Sequence, residues 1–493
     1  MSRHTRRTFL KQTAAAGAAA AFTIAGTKAS GRVLGANDTV RVAVAGLNSR
    51  GRQHLQGYLG LKGVEVVALA DPDRSLFASR SATVEAAGGP APKCVEDIRK
   101  LLDRKDVDAV SIATPNHWHT LMTVWAAQAG KDVYVEKPCS HNLVEGRRCV
   151  EAAAKYGRIV QHGTQQRSSP ERAAEIAAVH SGKWGKLRVS KTVIGKPRWS
   201  IGSKPISDPP PTLDFDLWLG PAAKQPFHKN LVHYNWHWFW DFGDGEIGNQ
   251  GIHELDVAHW AIAGATLPTK VWSLGGRFAY QDQGETPNMD MAVFEFGDVL
   301  LVAEIRGLVN TGKGVGSPGP KLTEPTLPEA FVGKLTNEFH TSEGVIRNAM
   351  LYPKGGGPAV DLHPEPVPVT PGGTFGSFIE CVRSRRREAV NAPILAGHYS
   401  SALAHLANIS YRLGREVPFS HEPEGMSVPE IAETFETIKA NLKAVGVDLQ
   451  KTNYRLGRVL SLDPKTEQFV GDDEANAMRS RRYRPPFVVP ESV

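Results

Sequence analysis

Cysteine is scarce in this chain. Four residues, Cys94, Cys139, Cys149 and Cys381, show no C-x-x-C pair and no ligand-like spacing. That argues against a disulfide-stapled module and a thiolate metal site, and they read as buried structural thiols. Acidic residues are absent from positions 1–30, where Arg3, Arg6, Arg7, Lys11 and Lys28 sit. Those five account for most of the formal charge of +7, and 7 minus 5 leaves +2 for the rest, an ordinary surface with no nucleic-acid stripe. Beyond the first thirty residues no stretch stays apolar for the ~20 positions of a membrane helix. No repeat recurs at a solenoid period.

What is present fits a globular chain: 493 residues, 41% hydrophobic and 22% charged. That length exceeds one hydrophobic core, so two domains with appendages are expected. At the start, "TRRTFLK" precedes an apolar run from Thr13 to Ala25. The pairing resembles a twin-arginine signal, which implies the twin-arginine export machinery and a periplasmic or exported protein. Left uncut, the signal would act as an anchor. Residues 1–38 are therefore read as signal and linker.

From Thr39 the chain reads "TVRVAVAGLNSRGRQHL". A β-branched run enters Gly46, Leu47, Asn48, Ser49, Arg50 and Gly51 and then a helical pattern, the place of a pyrophosphate-binding turn. Asn48 stands where the second glycine of G-x-G-x-x-G belongs; asparagine tolerates positive φ better than most residues, but its side chain takes up room. A second strand ends in Asp71, twenty residues after Gly51, the position of a carboxylate that accepts from ribose hydroxyls. An acid there favours NAD; Arg50 and Arg74 are the residues that could accommodate the 2′-phosphate of NADP. A third strand, "VDAVSIAT", leads into Pro115 and "NHWHTLMTVWAAQAGKDVYVEKP". The alternation predicts a Rossmann-type doubly wound parallel sheet over 39–165, with Gly46, Asp71, Thr114 and Glu136 converging beyond its strand ends.

At Glu136-Lys137-Pro138 the chain resembles the Gfo/Idh/MocA family of glucose-fructose oxidoreductase and inositol dehydrogenase. The likeness is carried by "TPNHWH" at 114–119, "GKDVYVEKP" at 130–138, "GTQQRSSP" at 163–170 and "GNQGIHELDVAHW" at 248–260. Pieces at 397–414 and 469–490 look like an exported, sugar-associated bacterial branch. The resemblance implies an α/β protein. Its NAD-binding domain is followed by an α/β domain (166–450) with an open, mostly antiparallel sheet that covers the substrate and forms oligomer contacts. A C-terminal extension (451–493) packs on the core. It further implies an NAD-dependent oxidoreductase acting on a sugar, polyol or glycoside hydroxyl, as a homo-oligomer. The implied cofactor residues are Gly46, Asn48, Ser49, Arg50, Gly51, Asp71, Thr114, Pro115, Asn116, His119, Glu136, Lys137 and Gln165. The implied substrate residues are Lys137, Arg167, Tyr234, Trp236, Asn249 and His253, with Lys137, His253 and Asn249 catalytic.

Hydride leaves a carbinol carbon readily only if the hydroxyl proton leaves too, so a base is required beside the cofactor. Lys137 follows a strand end and precedes Pro138; partly stripped of water, it would have a lowered pKa. His253 is the second candidate. On one helix it would share a face with Asn249 and Asp256. The family places an aspartate where this chain has Asn249, so either Lys137 carries more of the proton transfer or Asp256 compensates. His253 and His259 lie six apart rather than four, which argues against zinc, and no metal is expected. The aromatic stretch "HYNWHWFWDFGDG" at 233–245 reads equally as core or as a sugar platform. An exported enzyme meets little free NAD, so a retained cofactor and redox-neutral chemistry follow. The alternatives are an NAD-assisted glycosidase or epimerase working through a keto-sugar, and a non-catalytic sugar-binding protein.

Overall fold

In the computed structural model six parallel strands form the first sheet: β1 (Val40–Ala45), β2 (Val64–Ala70), β3 (Lys93–Val95), β4 (Ala109–Ile112), β5 (Asp132–Val135) and β6 (Val160–His162). Their order is β3-β2-β1-β4-β5-β6, with the switch in direction between β1 and β4. Residues 39–309 and 333–493 are described; the stretch read as an export signal lies outside them. β4 and β5 are buried at every position, as near-continuous apolar runs in a doubly covered parallel sheet should be.

The second sheet has twelve strands. Its centre is β7 (Leu187–Gly195), β8 (Lys270–Gly276), β9 (Met289–Phe296) and β10 (Val299–Arg306). β7 and β10 pair in parallel, whereas β8–β9 and β9–β10 are antiparallel. Helices Gly251–Trp260 and Ile394–Arg412 pack apolar residues such as Leu255, Leu403 and Leu406 on one face. Helix Pro429–Ala444 covers part of the other through Ile431, Phe435 and Ile438.

The two halves are interleaved in sequence. Helix Gly373–Ser384 buries Phe378 and Val382 against Val40, Val42 and Leu55 of the first domain. The stretch read as a C-terminal extension supplies strand Asn453–Leu456 to the second sheet, paired with β8. Its far end, with Phe487 and Val489, fills the first domain's core beside Trp118 and Trp125. The boundary expected at 450 therefore falls inside a sheet.

Candidate functional site

Beyond the carboxyl ends of β1, β2, β4 and β5 lies a crevice of about 360 Å³. Its floor is the turn after β1. Gly46 has φ +81°, and a Cβ there would meet the Ala113 carbonyl at 2.6 Å and Thr114 N at 2.7 Å. A Cβ on Gly51 would meet Gly46 O at 1.8 Å. Both positions therefore demand glycine, one to let β1 and β4 meet and one to seat helix Ser49–Leu59 on the turn. Asn48 is extended, with φ −73° and ψ −153°, so no positive φ is used, and its side chain makes no capping bond. It lines the crevice with Ser49, Arg50, Thr114, Pro115 and Asn116. Two helix N-termini, at Ser49 and Asn116, open on this space with no acid in their first turns, an arrangement suited to phosphate.

Asp71 closes one end. It accepts from Leu47 N at 2.7 Å and Asp73 N at 2.9 Å, and burial, outweighing these donors, pushes its carboxyl up to about 6. Neither arginine that could have received a 2′-phosphate is turned to it: Arg50 donates to Glu136 and Arg74 to Pro211 O. Burial would raise the Glu136 carboxyl, but Arg50, His54 and Lys137 hold it well below the usual range. Its Oε1 accepts from Arg50 Nε at 2.6 Å and stands 3.0 Å from His54 Nε2. His119 lies in the wall, with its ring nitrogens facing Thr114 O and Pro138 O at 2.8 and 2.6 Å. It braces two loops rather than offering a free nitrogen.

Lys137, joined to Pro138 by a cis peptide bond, stands where the two domains meet. Its Nζ donates to the backbone oxygen of Asn249 at 2.7 Å. Burial lowers the ammonium to about 8, against the opposing pull of Glu136 and Glu246. His253 is driven further down, to about 3, by burial and then by the Lys137 charge, so its ring is neutral. The helix expected to align Asn249, His253 and Asp256 is instead two helices, Gly245–Asn249 and Gly251–Trp260, that meet at Gln250.

Three expectations are corrected here. Asp256 compensates for Asn249 only weakly: both of its oxygens accept from Arg167 Nε, at 2.8 and 3.0 Å, and its charge is the last of the influences on the His253 ring. Arg167 is thereby taken out of substrate binding: it is buried, paired and stacked 4.9 Å over the Trp260 ring. Gln165 turns its amide to Gly163 O at 2.7 Å and is absent from the crevice wall. Gly51 acts from beneath the turn, through its lack of a side chain.

The carboxylate near Asn249 is Glu246, one turn earlier, which accepts from Asn249 Nδ2 at 3.3 Å. Arg198 grips it through two bonds of 2.7 Å. Lys196 and Gln250, joined at 2.7 Å, and His233 complete the wall. Sequence reasoning missed these; "GDGEIGN" next to Asn249 was the only local signal. The aromatic stretch divides in two. Tyr234 and Trp236 line the crevice, whereas Trp238, Phe239 and Phe242 form a buried cluster. Among the described residues no group of three His, Cys, Asp or Glu side chains could hold a metal, and no helix is long and apolar enough to cross a membrane.

Two family models match this chain: the oxidoreductase family NAD-binding Rossmann fold over residues 40–164, and the oxidoreductase family C-terminal alpha/beta domain over 194–273. Curated relatives include a glycosyl hydrolase family 109 protein of Streptomyces niveus, 35% identical over 153 residues, 30% of this chain and 31% of that protein. Another, from Saccharopolyspora erythraea, is 30% identical over 200 residues, 37% of this chain and 44% of the relative. The chain thus spans less than half the length of these relatives. Among solved structures, the WlbA dehydrogenase of Bordetella pertussis, in complex with NADH and UDP-GlcNAcA, has 16% identity and a TM-score of 0.52. That match covers 75% of this chain and 94% of the other. Levoglucosan dehydrogenase in complex with NADH matches with 16% identity and a TM-score of 0.52, over 75% and 97%.

Proposed function

Because the chain belongs to the Gfo/Idh/MocA oxidoreductase family, we propose that it is an NAD-binding enzyme that oxidises a hydroxyl-bearing carbon of a sugar, polyol or glycoside. The observation that carries this reading is Lys137, whose amine is brought down to about 8 by burial at the head of a crevice shaped for a dinucleotide.

The residues fit that cofactor. Gly46 and Gly51 leave a backbone cradle that a Cβ would fill, two helix N-termini face the phosphate region, and Asp71 suits a ribose. When bound, the nicotinamide supplies a hydride acceptor. The proton is the protein's task. At pH 7 roughly one Lys137 in ten is neutral and able to take it. Asn249 O holds the amine in place. His253, held neutral by burial and too weak a base at about 3, is not among the residues that line the crevice, so Lys137 carries the transfer. Tyr234 and Trp236 offer amphipathic faces for a sugar ring.

A second reading is favoured by the family 109 relatives. A transient keto-sugar acidifies the neighbouring C–H, the glycosidic group leaves, and no net NADH accumulates. The paired arginines near the start support an exported enzyme that keeps its NAD through each cycle.

The test is to denature the purified protein, identify the released nucleotide by mass, and screen sugars for a change in absorbance of the reduced cofactor. Release of free aglycone without net NADH selects the second reading. Bound nucleotide with neither outcome on any sugar would point to a non-catalytic protein.

A further inference from the structure

The nucleotide end of the crevice has a roof supplied by the second domain. Arg74 N donates to Thr212 O at 3.0 Å, Asp214 N donates to Pro72 O at 2.9 Å, and Asp73 and Leu213 form an antiparallel bridge. His233 Nε2 stands 2.9 Å from Asp73 Oδ2. Leu217, Trp218 and His233 then line the same crevice as Asp71 and Pro72. The Trp218 carbonyl accepts from Trp118 Nε1 and faces His117 Nε2, each at 3.0 Å.

The end of the chain holds this roof from outside. Arg484 Nη1 reaches the two oxygens of Asp216 at 3.0 and 3.1 Å, and Nη2 reaches Asp216 O at 2.6 Å. Its Nε donates to Gly220 O at 3.0 Å and its backbone N to Pro221 O at 3.2 Å. A few residues on, Phe487 is seated in the first domain's core, edge-on to Trp118 at 5.3 Å. One guanidinium thus ties the roof to a segment rooted in the nucleotide-binding domain.

We propose that the C-terminal residues around Arg484 form a latch that controls escape of the dinucleotide, so that NAD behaves as a resident group. The inference rests on the retained-cofactor reading above and extends it to a mechanism. Arg484 lines no part of the crevice, so it is a positioning residue: it acts by keeping Phe215–Leu219 seated.

The experiment uses the full-length holoenzyme, diluted into excess etheno-NAD, with exchange for bound NAD followed over time. Arg484→Ala is expected to speed exchange by about tenfold or more, the scale of losing charge-assisted bonds, and Asp216→Asn by a smaller factor, because the bonds to Asp216 O and Gly220 O remain. The double variant should add little to Arg484→Ala, which already removes the side-chain contact with Asp216. Arg458→Ala removes a comparable grip on Asp472 and Glu474 elsewhere in the C-terminal segment and should exchange at the wild-type rate. Equal rates in folded Arg484→Ala and wild type would overturn the latch, as would a rise shared by Arg458→Ala. If Arg484→Ala fails to fold, Asp216→Asn, altered on a side chain that is 56% exposed, carries the test. Rapid loss of NAD from the wild type would sink retention alone; the latch is read from the ratio of variant to wild-type rates.

Discussion

The Lys137 amine and the Asn249 carbonyl, 2.7 Å apart, join the tip of the first domain's β5 to the helical turn on the second domain's side of the crevice. An amine held by that wall is oriented by domain contact rather than by its own strand. Lys137→Ala should keep its nucleotide and lose turnover by about 10²–10⁴-fold, the usual contribution of a positioned base. Nucleotide content by mass and kcat on an accepted sugar check this; unchanged turnover would remove Lys137 from proton transfer.

The same group sets a pH profile. Only the neutral amine accepts a proton, and the amine titrates at about 8. For oxidation, kcat/KM should rise about tenfold per pH unit below that value and level off above it. A profile flat from pH 6 to 9 would exclude the amine as base.

Glu246 supplies the anion nearest this machinery on the second domain, held by Arg198 and bonded to Asn249. Its charge raises the Lys137 amine, opposing burial. Glu246→Gln should therefore move the rising limb of the pH profile to lower pH. It also leaves Arg198, whose side chain is 11% exposed, without its carboxylate, at some cost in stability. The limb position, measured alongside urea unfolding, separates the two effects; a limb that stays at about 8 would show that the Glu246 charge does not reach the amine.

Much of the first domain was legible because its signals are local. Strand, glycine turn, helix and terminal acid follow one another within about thirty residues, and each has its own backbone reason. The second domain's mostly antiparallel sheet was expected only from the resemblance, and the antiparallel β8–β9 and β9–β10 pairs agree with it. What could not be read was partnership across long separations. Arg167 and Asp256 lie 89 positions apart, so their pairing left no mark beside Arg167, which the resemblance implied as a substrate residue. The roof at 211–218 starts in the run Pro209, Pro210 and Pro211 and enters one short helix, Phe215–Leu219, too brief for a periodic signal, so its pairing with residues 72–74 left no pattern. The place of helix Gly373–Ser384 was not legible, since an apolar stripe does not say which sheet it will cover.

The glycine turn allows a sharp contrast between two positions of the same segment. A methyl on Gly51 would sit 1.8 Å from Gly46 O, whereas one on Gly60 meets nothing closer than Gln56 O at 3.8 Å. Gly51→Ala must therefore push helix Ser49–Leu59 off the turn. The cost exceeds the ~1–3 kcal/mol of ordinary overpacking, because backbone rather than a flexible side chain has to yield. The phosphate cradle moves with it, so the purified variant should carry no NAD and melt at lower temperature. Gly60→Ala, at a helix end with φ −81°, should keep its cofactor and its melting temperature to within a degree or two. If Gly51→Ala retained full nucleotide occupancy, the turn after β1 would not be the phosphate cradle.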